Sequence, residues 1–130
     1  MEIMKILVVD DERSINSYLQ RKLTRLGYTV FTAEDGVEAL KQAFTHLPDI
    51  ILLDVNLPKL SGIEVLKTLR ADERTKSTPI LILSARAQGK DIKAGLKAGA
   101  NRYLCKPVSF ANILREIRAY AEISSDPPDH

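Results

Sequence analysis

The chain has 130 residues, 45% apolar and 28% charged, proportions that fit one globular domain and argue against an intrinsically disordered chain. Its formal net charge of +2 is too small to mark a nucleic-acid-binding surface by itself. No apolar run approaches the ~20 residues of a membrane helix, the start lacks a secretory signal, and Cys105, the sole cysteine, allows neither an intrachain disulfide nor a four-cysteine metal site; a cytoplasmic protein is expected.

Ile6-Leu7-Val8-Val9 is apolar throughout, the pattern of a strand buried on both faces, and it ends at Asp10-Asp11. From Ser14 onward, Ile15, Leu19, Leu23 and Leu26 recur at helical spacing, and Gly27 stands where a left-handed C-terminal cap belongs. Thr29 to Ala33 reads as the second strand. Asp35-Gly-Val-Glu38 then has the spacing of a capping box ahead of Leu40, Ala43 and Phe44. His46 falls near the end of this second helix, where the helix dipole or solvent is its expected company.

Asp49 to Leu53 repeats the apolar pattern and ends at Asp54. Leu57-Pro58 interrupts regular structure, and Ser61-Gly-Ile-Glu64 starts a third helix that should place Ile63, Leu66 and Leu69 inward. Pro79 opens a fourth strand, Ile80 to Leu83, which ends at Ser84. The fourth helix is expected from about Gly89 to Ala98, with Ile92 and Leu96 inward, Lys90, Lys93 and Lys97 in a stripe on the opposite side, and Gly99 as its stop. Arg102 to Cys105 reads as a fifth strand. Ser109 caps a last helix with Phe110, Ile113, Leu114 and Ile117 as its apolar positions. The expected organisation is one domain over residues 1–123 and a polar tail over residues 124–130.

Strict alternation of five strands with five helices predicts an α/β doubly wound fold with a parallel sheet, because crossover helices must cover both faces. Functional groups in such sheets collect beyond the carboxyl ends of the strands. Here those ends carry Asp10, Asp11, Asp54, Ser84 and Lys106. Clustered carboxylates repel one another unless a cation neutralises them. Oxygen-only ligands suit a hard cation, Mg²⁺ above all where few carboxylates share the ion with waters. Asp11 and Asp54 are expected as direct ligands, Asp10 through a bound water, and the Asn56 backbone carbonyl as a further oxygen. A carboxylate can attack phosphorus to form an aspartyl phosphate, a transfer that needs positioning and charge neutralisation more than a base. Lys106 offers an ammonium and Ser84 a hydroxyl for phosphoryl oxygens.

Asp10-Asp11, Asp54-Val-Asn-Leu-Pro58, Ser84-Ala-Arg86 and Tyr103-Leu-Cys-Lys106-Pro107, in this order, resemble the motifs of the response-regulator receiver family, with the layout of its chemotaxis members, over residues 3 to about 121. The resemblance implies a flavodoxin-like sheet of order 2-1-3-4-5, Asp54 as phosphoacceptor, Ser84 as the hydroxyl that moves toward the phosphoryl group, and Tyr103 as the aromatic that swings in behind it. It also implies a cis Lys106-Pro107 bond and a tuning of phosphate lifetime by Asn56 and Arg86. Arg102 and Cys105 depart from the family's commonest residues without touching the chemistry.

A sensor histidine kinase or phosphotransfer protein is the implied donor, and the fourth helix, fifth strand and fifth helix form the implied output surface. Asp91 is the only acid from 86 to 106, against Arg86, Lys90, Lys93, Lys97, Arg102 and Lys106, so an acidic partner is expected if the lysine stripe docks one. Direct nucleic-acid or membrane binding is not expected, and the chain should be a monomer or a phosphorylation-dependent dimer.

Simpler readings stand beside these. Taken alone, Asp10-Asp11 reads as a solvated turn, Tyr103 as a packed ring with a wet hydroxyl, Cys105 as a small apolar strand residue, and the lysine stripe as a solubilising face. The main rival is a small Mg²⁺-dependent phosphatase with a strand-1 aspartate nucleophile. It expects an Asp-x-Asp pair, whereas Asp10 and Asp11 are adjacent. A flavin carrier would need a hydroxyl- and glycine-rich phosphate loop after the first strand, and none is present.

Overall fold

The computed structural model describes residues 4–86 and 88–125. Five strands alternate with five helices: β1 (Lys5–Val9), α1 (Arg13–Arg25), β2 (Thr29–Ala33), α2 (Gly36–His46), β3 (Ile50–Leu53), α3 (Gly62–Ala71), β4 (Ile80–Ser84), α4 (Gly89–Lys97), β5 (Arg102–Cys105) and α5 (Phe110–Ser125). The strands form one parallel sheet of order β2-β1-β3-β4-β5.

Side-chain alternation along the central strands divides the core into two layers. Leu7, Val9, Ile51, Leu53, Ile80 and Ile82 point to one face and pack with Ala39 and Ala43 of α2 and with Val65, Leu66 and Leu69 of α3. Ile6, Val8, Ile50, Leu52, Leu81 and Leu83 point to the other, against Leu19 and Leu23 of α1 and Ile113 and Ile117 of α5. Burying each Leu or Ile stabilises the fold by about 1.5–3 kcal/mol, so the three inner strands carry much of the core.

Local chemistry sets the helix ends. The Asp35 carboxylate accepts a hydrogen bond from the Glu38 amide, which holds its carboxyl below the ordinary carboxylate value. Ser61 Oγ accepts from Glu64 N and donates to the Glu64 carboxylate, both at 3.2 Å, so the N-cap half of the expected box forms and the glutamate pairs with the hydroxyl. Ser109 Oγ accepts from Asn112 N, capping α5. Gly27 and Gly99 take φ of 99° and 115°, the left-handed region expected after α1 and α4.

The largest correction concerns α4. Leu96, expected inward, is 46% exposed, and Ile92 is only half-buried. The buried residue is Gly95: a Cβ there would lie 2.8 Å from Ile82 Cδ1 and 2.9 Å from a ring carbon of Tyr103. Close approach through a glycine rotates the helix relative to a reading based on apolar side chains. Smaller differences follow the same logic. Val65 takes the buried place expected for Ile63, which is half-buried, and α5 continues through Ser125, past the expected start of the polar tail. Residues 126–130 of that tail lie outside the described residues.

Candidate active site

Register brings the site together. Val9 pairs with Leu53 across β1 and β3, so the next residues, Asp10 and Asp54, sit side by side. Ser84 pairs with Cys105 across β4 and β5, and the Lys106 amide donates to Ser84 O at 2.8 Å, placing that lysine beyond the same edge. Asp10, Asp11 and Asp54 each present a carboxylate oxygen within 4.8 Å of the others. Asp10 and Asp54 are buried; Asp11 is exposed.

Lys106 Nζ donates to Asp10 Oδ2 at 2.7 Å and to Asp54 Oδ2 at 3.2 Å. The remaining oxygens accept from backbone amides, Asp10 Oδ1 from Glu12 at 2.9 Å and Asp54 Oδ1 from Asn56 at 3.0 Å. Each buried carboxylate is thus held by one ammonium and one peptide N–H, which fixes its rotamer. Burial lowers the Lys106 ammonium, but the hydrogen bond to Asp10 and the charges of Asp54 and Asp10 outweigh it, leaving the group above its ordinary value. It is therefore a permanent cation across the working pH range. Three acids against one cation leave a negative site built only from oxygen donors, which suits a hard divalent cation.

Beside the trio lies a cleft of about 640 Å³, walled by Val55, Leu57, Ile63 and Tyr103, with Asp11, Asn56 and Arg86 among its polar residues. Ser84 is fully buried, and its Oγ accepts from the Arg86 amide at 3.2 Å. The Tyr103 hydroxyl donates to the Arg86 carbonyl at 2.7 Å. Burial raises the phenol above its ordinary value, partly offset by the Ser84 hydroxyl. Ser84 and Tyr103 therefore both grip the segment between β4 and α4. The Lys106-Pro107 peptide is cis.

The receiver-domain pattern of response regulators matches residues 6–118. The chain belongs to the response regulator receiver family. The alkaline phosphatase synthesis transcriptional regulatory protein PhoP of Bacillus subtilis is 51% identical over 115 residues, 88% of this chain and 47% of PhoP. This receiver thus spans about half the length of the curated relatives it matches. The chemotaxis protein CheY4 of Vibrio cholerae superposes with a TM-score of 0.86 at 35% identity, covering 92% of this chain and 99% of CheY4. The receiver domain of the sensor histidine kinase PA1611 of Pseudomonas aeruginosa has a TM-score of 0.83 at 34% identity, with 92% and 98% covered, and holds a magnesium ion in its active-site cleft. The chain is a signalling receiver of the two-component type, and its acidic trio is of the kind that a phosphoacceptor site requires. The phosphatase alternative finds no support in these matches. Among the described residues no helix is long and apolar enough to cross a membrane.

Three residues that brace the site or its flanking elements escaped the sequence reading. Asn16 is 5% exposed on α1, and its Nδ2 donates to the carbonyls of Asp10 at 2.8 Å and Ala33 at 3.1 Å. The signal was present: positions 16, 19 and 23 share the inner face of α1, so a polar residue there interrupts an apolar series. Glu12 fixes Asp10 through its amide, which no side-chain pattern reveals. Arg70, at the end of α3, donates to the carbonyls of Gly99 and Thr78 and to Asn101 Oδ1, at 2.9, 2.7 and 2.9 Å. His46 stands in the last turn of α2, as expected, and also stacks on Phe31 with ring centroids 3.7 Å apart.

Proposed function

We propose that Asp54 accepts a phosphoryl group from the phosphohistidine of a separate kinase or phosphotransfer protein, and that the acyl phosphate so formed alters the α4, β5 and α5 surface. The observation that carries this reading is the setting of Asp54: buried at the end of β3, with one oxygen on Lys106, the other on the Asn56 amide, and two further carboxylates beside it. In the transfer an Asp54 oxygen bonds to phosphorus as the P–N bond to the donor imidazole breaks, and the imidazole leaves with the bonding electron pair and takes up a proton. Lys106 would follow the phosphoryl oxygens, exchanging one anion for another.

Asp11 and Asp54 would hold Mg²⁺ directly, Asp10 through a water, and the Asn56 carbonyl would complete the protein's share. When bound, the ion neutralises charge on the phosphoryl oxygens. The phosphoryl group adds about −1.5 to −2 charge. Ser84 would turn its hydroxyl toward this new acceptor and release the Arg86 amide. Tyr103, bonded to the same residue's carbonyl, would repack with it. Asn56 and the exposed Arg86, flanking the cleft mouth, would set how long the phosphate lasts.

The output surface in this reading includes Lys90, Lys93 and Lys97, all exposed, and meets an acidic partner. The receiver unit is taken as residues 1–123, working in the cytoplasm as a monomer or phosphorylation-dependent dimer, with no direct contact between this unit and nucleic acid or membrane.

Incubation with Mg²⁺ and phosphoramidate should add one hydroxylamine-labile phosphoryl group by intact mass, and Asp54→Asn should abolish it. Undiminished labelling of the Asp54→Asn protein would overturn the assignment.

A further inference from the structure

Among the described residues, one buried side-chain polar atom has no hydrogen-bond partner: Asn16 Oδ1. An orphaned buried acceptor lowers stability, and a polar side chain kept in such a place needs a reason. Its other end supplies one. Asn16 Nδ2 bridges the carbonyls of Asp10 and Ala33, while the Asp10 amide also donates to Ala33 O at 3.1 Å. The peptide just before Asp11 is therefore held from inside the protein by a donor on α1.

That brace matters because the turn has little else. The N-cap of α1, Glu12, makes no side-chain capping bond, and the first turn has no acidic residue. The Asp10 side chain is committed to Glu12 N and Lys106. Asp11 itself is exposed and makes no ion pair among the described residues. Its direction is set by the backbone that Asn16 grips.

We infer that Asn16 is the positioning residue for the cation-binding acids, trading stability for a fixed Asp10-Asp11 turn; the inference rests on the reading of Asp11 and Asp54 as metal ligands. Leucine keeps the Cγ branch of asparagine with more bulk, removes the orphaned acceptor and cannot donate. The Asn16→Leu protein should bind Mg²⁺ more weakly, whatever the two lost hydrogen bonds and the added bulk do to its melting temperature.

The test is a Mg²⁺ titration of unphosphorylated protein followed by the backbone amide resonances of Asp11 and Asn56, run well below the melting transition. The expected result is a Kd more than threefold above the wild-type value in Asn16→Leu. Leu23→Ala, a cavity on the same helix face, should lower the melting temperature and leave Kd unchanged. An Asn16→Leu Kd within threefold of wild type overturns the inference, as does an equal weakening in Leu23→Ala. Should the leucine variant fail to fold, Asn16→Ser, too short to bridge both carbonyls, is judged by the same threshold. Wild-type binding that persists in Asp11→Asn would remove the metal-ligand reading itself, and the inference with it; loss of binding there with a normal Kd in Asn16→Leu removes the inference alone.

Discussion

Helices α3 and α4 stand on either side of the cleft beside Asp54. The first opens with a side-chain cap from Ser61 and buries Gly62, Val65, Leu66 and Leu69. The second has no side-chain bond at its N-cap, Gln88, and buries only Gly95. Arg70, from the last turn of α3, reaches across to the Gly99 carbonyl and to Asn101, whose Oδ1 also accepts from the Ile80 amide at 2.8 Å. The far end of α4 is therefore tied to α3, while the segment before its near end is held through Arg86 by Ser84 and Tyr103. Regions with few buried apolar contacts open most easily. A receiver needs such an element where a charge change at Asp54 can reach it, and a rigid neighbour to hold Asp54 still.

The strongest way to break this comparison is to remove a leucine from each helix. Leu66→Ala empties a fully buried site and should lower unfolding free energy by about 2–5 kcal/mol. Leu96→Ala should change it by less than about 0.5 kcal/mol, as exposed positions do. Urea denaturation measures both, and equal losses would mean that α4 is as firmly packed as α3.

Glycine substitutions sharpen the same contrast. A Cβ at Gly62 would fall 2.3 Å from the Asp54 carbonyl oxygen and 2.5 Å from Val55 Cα, backbone that cannot move without shifting Asp54. Gly62→Ala should cost about 1–3 kcal/mol through overpacking and also slow phosphorylation. At Gly95 the obstacles are the Ile82 Cδ1 methyl and the Tyr103 ring, which can turn aside, and alanine regains up to about 1 kcal/mol of helix propensity. Gly95→Ala should therefore stay near wild-type stability and instead displace Tyr103, visible as a changed ring environment by NMR.

Charge reversal at Lys93 and Lys97 tests what the loosely held helix meets. With an acidic partner, Lys93→Glu with Lys97→Glu should reduce the association rate at low salt by about tenfold and flatten its salt dependence. Phosphorylation by phosphoramidate should be unaffected. An unchanged association rate at low salt would leave these lysines as a solubilising face.

The contrast between the helices also explains which parts of the fold were legible in the sequence. The strands, the Asp35, Ser61 and Ser109 caps, and the strand-end acids announce themselves because apolar runs and capping residues act locally. The α4 face was misread because its decisive contact is made by Gly95, a residue with no side chain to register in a hydrophobic pattern. Asn16 and Arg70 were missed because their partners are carbonyls brought near only by the fold. Asp10, Asp11, Asp54 and Lys106 were legible as a set because parallel register carries strand ends to one edge whatever the side-chain details.

The smallest expected effect lies at the end of α3. Asp72 is held down to about 2, from 3.8, first by the Arg74 side chain and then by the Arg74 amide. Its Oδ1 accepts from Arg74 Nε at 3.1 Å and from the amide at 2.9 Å, while the guanidinium lies 4.6 Å from the Phe44 ring centre on α2. A carboxyl depressed by folding contributes stability that is fully present above its unfolded value of 3.8 and is lost as pH falls through about 2. The pair lies at the surface, Arg74 exposed and Asp72 half-buried, so solvent and salt screen it and the contribution is small. Arg74→Gln should raise the Asp72 carboxyl only part of the way back, because the amide remains, and should shrink the loss of stability across that acid window. Carboxyl-detected NMR titration separates the two donors. An Asp72 that still titrates near 2 in the variant would assign the whole depression to the backbone and leave Arg74 with the Phe44 contact as its tie between α3 and α2.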